Sequence, residues 1–233
     1  MVDPAWISER LASFTATLPK FASSAAQTLN SSAASGGCYQ GQTHGHEGFL
    51  VTRGAAEEML IESVSRNEVL IPYLTADEML GRRDCLPTRY VIDFGVRDAL
   101  RSAQYKLPFA QVKNRVLATR QDRARNEAVR NDDALTDDSD GNVSKDHGSA
   151  LARWWQLFRR RGEMLSAIEQ LPRYIVCGRV TKRPVFEFVA PAIHPNDALT
   201  VFPFADDYSF EILQSVLHWE WFVARCSTLK GDL

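Results

Sequence analysis

The sequence is sparing with the residues that announce common chemistries. It has four cysteines in 233 residues, Cys38, Cys85, Cys177 and Cys226, widely spaced and with no Cys-x-x-Cys pair. That spacing argues against a disulfide framework and a paired-thiolate zinc site, and reads as reduced, buried thiols. No apolar run approaches the roughly 20 residues that cross a bilayer, and no cationic stretch precedes an apolar signal core. A cytoplasmic protein with no membrane partner is the expectation. The net charge is only −2, so nucleic-acid binding would need a local basic face. A P-loop, a Gly-x-Ser-x-Gly elbow and a Gly-x-Gly-x-x-Gly turn are all missing, which removes the local signatures of three large enzyme classes. What is present, 45% hydrophobic and 24% charged residues, is the make-up of a globular protein. The length allows one sizeable core, or two small ones sharing an interface.

Two regions separate by texture. In residues 1–37, Trp6, Ile7, Leu11, Phe14, Leu18 and Phe21 recur at helical spacing, and Ser23 to Gly37 is a Ser/Ala/Gly linker. From residue 38 to 233 the pattern predicts one mixed α+β domain with short strands, hairpins and several helices. Strands are expected at Phe49–Val51, Val69–Leu74 and Tyr90–Phe94, then at Tyr174–Val180, Val185–Val189 and Leu199–Phe204. Helices are expected over 55–64, from a Thr75 capping box to Gly81, and over 108–130, 149–170 and 209–226. Between about 131 and 148, six aspartates with Gly and Asn predict a solvated or disordered loop.

The groups most suggestive of function are basic. Lys106, Lys113, Arg115, Arg120, Arg123, Arg125 and Arg130 crowd one helix, against Asp122 and Glu127. Arg159-Arg160-Arg161 follow, and Arg179, Thr181, Lys182 and Arg183 fall on a strand–turn–strand. Duplex DNA selects such groups, because each neutralised phosphate releases counterions and an arginine fork matches guanine O6 and N7. The plainer alternative is solvated helix surface, paired with the aspartates that follow. Gly41-Gln-Thr-His-Gly-His-Glu-Gly48 reads as a tight polar turn offering Gln42, His44 and His46 to a ligand. Cys38, His44 and His46 would ligate zinc only with a further ligand at suitable spacing, which is missing. Asp206-Asp207 with His194 or His218 suggests acid–base chemistry, but carboxylates just before a helix commonly cap its N–H groups. Trp154-Trp155 and His218 to Trp221 read as packing aromatics.

Cys38-Tyr-Gln-Gly-Gln-Thr-His-Gly-His-Glu-Gly-Phe-Leu-Val-Thr52 resembles the opening of a target recognition domain. Such domains serve the large MmeI-like (type IIG) adenine-specific DNA methyltransferases of restriction–modification systems. The resemblance continues in order through Ile71–Leu74, Arg89–Phe94, Trp154-Trp155 and Leu171–Ile175. It then takes in Arg179–Pro184, Pro195–Asp197, Phe204–Tyr208, Leu213–Ser215, His218 and Ser227–Asp232. It implies a DNA-reading module of a site-specific adenine-N6 methyltransferase, with double-stranded DNA as partner. Arg179, Thr181, Lys182 and Arg183 are the expected base contacts, with Gln42, His44 and His46 secondary. Lys113, Arg115, Arg120 and Arg123 are the expected phosphate contacts. In such proteins a separate catalytic domain holds S-adenosylmethionine and an Asn/Asp-Pro-Pro-Tyr motif, and the target base is flipped out of the duplex. No Pro-Pro pair occurs in this sequence. The expectation is therefore a reader without its catalyst, holding no cofactor, no metal and no catalytic residue of its own: a fragment, a truncated product or half of a split system. The alternatives are a split methyltransferase or nuclease active only with a partner chain, and an interaction module that no longer binds DNA.

Overall fold

A computed structural model of the chain describes residues 37–62, 68–82, 84, 86–136 and 143–225. The stripe at Trp6–Phe21, its linker, Cys85, Cys226 and Ser227–Asp232 lie outside them. The fold is mixed α+β, as expected. Two four-stranded sheets are present among the described residues. The first is antiparallel, in the order β1 (Tyr39–Gln40), β8 (Leu199–Phe202), β5 (Tyr174–Gly178), β6 (Phe186–Val189). The second runs β2 (Leu50–Thr52), β4 (Arg89–Ile92), β3 (Leu70–Leu74), β7 (His194–Pro195), with β3 and β7 parallel.

Burial explains the strand sequences. β5 reads Tyr-Ile-Val-Cys-Gly without polar alternation because both its faces are covered. Tyr174 and Val176 join a core with Leu199, Val201 and Met79, while Ile175 and Cys177 pack with Phe186, Phe210 and Leu213. Burial pushes the Cys177 thiol up to about 12, whereas Cys38 is exposed, a correction to the expectation of buried thiols throughout. In β3, Pro72 is the last residue paired with β4, and pairing with β7 begins at Tyr73. The missing N–H thus falls where the strand changes partners.

Among the helices, α1 (Arg53–Glu62) follows Thr52, whose Oγ1 accepts from Ala55 N at 3.3 Å. The capping box holds: α2 (Ala76–Gly81) begins with Thr75 Oγ1 accepting from Glu78 N at 3.3 Å, and Glu78 accepting from Thr75 N. After the single turn of α3 (Ala99–Ser102), α4 runs Lys106–Thr136, about 46 Å at 1.5 Å per residue. It carries Asp132 and Asp133 on its last turns, and α5 (Asp146–Ala152) begins before the predicted loop ends. The expected loop over 131–148 is thereby trimmed at both ends; residues 137–142 lie outside those described.

The predicted helix over 149–170 is two short ones, α5 and α6 (Gly162–Ile168), separated by an irregular stretch ending at Arg161, φ 58°. A left-handed non-glycine residue costs on the order of 1–3 kcal/mol, so the break is enforced by tertiary contacts. Similarly, the helix expected over 209–226 is α7 (Asp207–Gln214) and α8 (Val216–Arg225), parted at Ser215, with Asp206 capping the first through Ser209 N at 2.7 Å.

α4 presents Val112 and Val116, both fully buried, to the core of the second sheet, each contributing about 1.5–3 kcal/mol. Further along the same face it buries two charged residues. Glu127 accepts from His147 N at 3.0 Å and Gly148 N at 2.8 Å. Arg120 Nη1 donates to the carbonyls of Ala150 and Arg153 at 2.9 and 3.2 Å. A carboxylate thus meets the N-terminal end of α5 and a guanidinium its C-terminal end, the signs its dipole favours. These bonds, with His147 N first among them, hold the Glu127 carboxyl down at about 2.

Three glycines fit the 41–48 segment against its neighbours. A Cβ at Gly41 would lie 2.1 Å from Asn196 O, at Gly45 2.5 Å from Phe158 Cβ, and at Gly48 2.7 Å from Arg115 Cβ. At Gly41 the obstacle is backbone, which has no rotamer to escape into. Gly41→Ala is expected to destabilise the fold by roughly 3 kcal/mol, read as a lower urea midpoint by circular dichroism. A variant within about 0.5 kcal/mol of wild type would contradict that close approach.

Candidate nucleic-acid interface

Strand register places the two sequence clusters at one end of the first sheet. Gln40 and Cys177 both face Thr200, from opposite sides of β8, so β1 and β5 run in the same direction. Their continuations, residues 41–48 and the hairpin loop 179–185, leave together, separated by two strand spacings or about 10 Å. Between them lies the β7–β8 turn, held by Arg179 N to Ala198 O at 2.8 Å and Gly41 N to Leu199 O at 3.0 Å.

On the hairpin loop, Arg179, Lys182 and Arg183 are exposed and make no ion pair among the described residues. Thr181 shapes the turn instead of facing out. Its hydroxyl donates to Arg183 O at 2.6 Å and accepts from Arg183 N at 3.2 Å. Three cations therefore stand on a short element closed by its own hydrogen bonds.

The 41–48 segment is not the outward-facing turn its composition suggested. Gln42 is fully buried and every polar atom it has is engaged. Its Nε2 donates to Asp93 Oδ2 at 3.1 Å and to Arg160 O at 3.0 Å, so its Oε1 is the acceptor for His194 Nδ1 at 3.1 Å. Its backbone N–H donates to Pro195 O, and its carbonyl accepts from Tyr73 Oη at 2.6 Å. Tyr73 in turn accepts from Asn196 Nδ2 at 3.2 Å, and Arg160 Nε donates to Asp93 Oδ2 at 3.3 Å. Gln42 is thereby withdrawn as a base contact: leaving so many buried partners unsatisfied would cost several kcal/mol. His44 and His46 are half-buried. His46 Nδ1 accepts from Gly48 N at 2.9 Å, and burial, then the charges of Arg123 and Arg120, hold its pKa below the usual histidine value. His44 lies edge-on to Tyr73. The group that faces out from this segment is Glu47.

On α4, Lys113, Arg115 and Arg123 are exposed and form no ion pair among the described residues. Arg123 donates to Gly45 O at 3.1 Å, and Arg115 covers Gly48, so these two adjoin the far part of the 41–48 segment. Arg120 does not belong to it. It is 6% exposed, braces α5 and lies over the Phe49 ring, and is withdrawn as a phosphate contact. Sequence reasoning missed the roles of Asp93 and Arg160 in the junction. The available signal was an aspartate ending an apolar strand, a position that obliges it to find partners.

Asp206 and Asp207 make no acid–base pair with His194. The first is a helix cap and the second pairs with Arg173 at 2.7 Å. Among the described residues no group of three His, Cys, Asp or Glu is placed to hold a metal, and no helix is long and apolar enough to cross a membrane.

Burial pushes His194 down to about 4, more than the opposing Asp93 charge raises it. The folded chain then binds fewer protons there than the unfolded chain, whose histidine titrates near 6.5. This stability is complete above pH 6.5 and is lost as pH falls towards 4. Chemical denaturation at pH 7 and pH 5 should differ by up to about 2 kcal/mol from this residue. The difference should shrink in His194→Gln; an equally steep decline in that variant would place the titrating group elsewhere.

No protein-family model matches the sequence, and no curated protein matches it. Solved structures do. One is a type IIL restriction–modification enzyme, MmeI, in complex with DNA, at 13% identity and a TM-score of 0.54, over 78% of this chain. The match spans 21% of that enzyme's chain. At this identity the likeness is one of fold.

Proposed function

We propose that this chain is a DNA target recognition module related to restriction–modification enzymes. The observation that carries the reading is the sheet end itself. Arg179, Lys182 and Arg183 are exposed on a hairpin loop shaped by the Thr181–Arg183 hydrogen bonds, and Lys113, Arg115 and Arg123 form a second exposed basic flank on α4. Eight arginines elsewhere, Arg53, Arg82, Arg97, Arg101, Arg125, Arg159, Arg160 and Arg173, have carboxylate partners, while Arg89, Arg120, Arg130, Arg153 and Arg161 form no ion pair among the described residues. The six cations of the hairpin loop and the α4 flank likewise lack such a partner among the described residues. Within each group, unpaired cations of a chain with net charge −2 repel one another, and an external polyanion relieves that repulsion. The DNA complex of the enzyme with the similar fold supports the same polyanion.

In this reading Arg179 and Arg183 reach base edges in the major groove and Lys182 assists them, while Lys113, Arg115 and Arg123 hold phosphates. The parent activity is adenine-N6 methylation, with S-adenosylmethionine and the reacting residues supplied by a catalytic domain, on the same or a separate chain.

Two kinds of variant separate the roles. With a duplex containing the preferred site, Arg179→Ala with Arg183→Ala should lower affinity by at least tenfold and flatten site preference. Lys113→Ala should weaken all duplexes alike and reduce the slope of log affinity against log salt by about 1. Wild-type affinity indifferent to salt would defeat the DNA reading as a whole. Unchanged site preference in the double variant would defeat only the hairpin assignment.

A further inference from the structure

Behind the 41–48 segment lies a cavity of about 310 Å³ whose walls include Arg120, Arg153, Arg159 and Arg160. The volume is at the lower end of small-ligand pockets, roughly 300–1,000 Å³. Each arginine is held differently. Arg160 is tied to Asp93 and lies against two glycines, where a Cβ at Gly95 would stand 3.8 Å from its Nε and Nη2 and one at Gly162 3.9 Å from its Nη1. Arg159 lies over the Phe158 ring and reaches Asp146 at 3.8 Å, a long and exposed ion pair. Arg153 is exposed and has no carboxylate partner among the described residues.

Arg120 is the unusual one. It is 94% buried by its 6% exposure, is hydrogen-bonded to two carbonyls through Nη1 and lies over the Phe49 ring, and has no hydrogen-bond partner at Nη2. A buried guanidinium without a counter-ion is costly, and an anion in the adjoining cavity would offset its charge. The wall carries four guanidinium groups and one carboxylate, Asp146. Asp93, outside the wall, offsets Arg160 alone. The N–H groups at the start of α5 contribute nothing to this excess, since Glu127 already occupies them.

We infer that this cavity is a binding site for a phosphate-class anion, held by the forks of Arg153 and Arg159 in the uncompensated field of Arg120. A monoanionic carboxylate would balance one guanidinium. Phosphate and diphosphate carry more charge, and their oxygens match the paired N–H groups of arginine. The bound anion displaces Asp146 from Arg159, so Asp146 is its internal competitor. The inference rests on the DNA-binding reading only for where the phosphate comes from. Arg159 forms a backbone bridge with Thr43, in the segment that adjoins the basic sheet end, so a backbone phosphate of the bound duplex is one source and a free anion is the other.

The test uses the full chain and inorganic pyrophosphate, followed by thermal melting and calorimetric titration, against sodium chloride at matched ionic strength. Wild type should melt several degrees higher in pyrophosphate than in chloride. Arg153→Gln with Arg159→Gln should weaken pyrophosphate at least tenfold, and Asp146→Asn should tighten it severalfold. Arg179→Ala with Arg183→Ala should bind it as wild type does. Melting without added anion reports whether each variant is folded. A duplex titration with the Arg153/Arg159 variant identifies the source: a loss of tenfold or more points to a backbone phosphate, and unchanged duplex binding to a free anion. Equal melting in pyrophosphate and chloride, or folded Arg153/Arg159 and Asp146 variants that bind pyrophosphate like wild type, overturns the site. Neither result bears on whether the hairpin reads DNA, which the salt dependence and the hairpin variants decide separately.

Discussion

The hydrogen bonds around Gln42 hold this molecule in register with itself. The two sheets bury largely separate apolar groups, one around Phe49, Val91 and Ile92, the others around β5. Hydrophobic burial is non-directional and leaves the relation between such cores loosely specified. The junction supplies direction. Gln42 follows β1 of the first sheet and contacts His194 in β7 of the second, Asp93 just past β4, and the backbone of Arg160. Tyr73 and Asn196 close the ring from β3 and from the turn joining the sheets. Each member is buried or half-buried, so a shift of one sheet against the other would leave several groups unsatisfied at about 1–3 kcal/mol apiece.

From that constraint the arrangement of the basic end follows. The turn after β7 must pass close to Gly41, which fixes where β8 begins, and the hairpin loop after β5 is bonded to the same turn through Ala198. The candidate DNA-reading cations therefore stand on an element whose base is hydrogen-bonded to the turn that leaves this junction. Such support suits a reader, because discrimination between bases requires groups held in place before the DNA arrives.

The same residue type serves opposite ends according to its surroundings. Arg120 and Glu127 are turned inward on α4 and brace α5, while Arg115 and Arg123 on the same helix stay exposed. Arg160 fastens the junction, while Arg153 and Arg159 beside it face a cavity. Spacing along α4 separates these faces only once it is known which side meets the second sheet. A helix whose buried face contains Arg and Glu as well as Val does not declare that side through its apolar pattern.

Local signals were read well from the chain because they are settled by neighbours in sequence. The Thr75 capping box, the Asp206 cap, the strands at 70–74, 89–92, 174–178, 186–189 and 199–202, and the hairpin before Pro184 all depend on a few adjacent residues. Where elements end was less legible. The break before Arg161 and the division of the last helix at Ser215 are imposed by long-range contacts that outweigh helix propensity. The sequence by itself determined the α+β class, the short strands and the basic turn at 179–183. Only the tertiary structure decided that Gln42 and Arg120 face inward, that Asp93, Arg160 and His194 meet, and that residues 41–48 and 179–185 share one end. Burial and hydrogen-bond partnership at separations beyond 100 residues, as between Gln42 and His194, leave no mark in local pattern, because they depend on where the chain returns to meet itself.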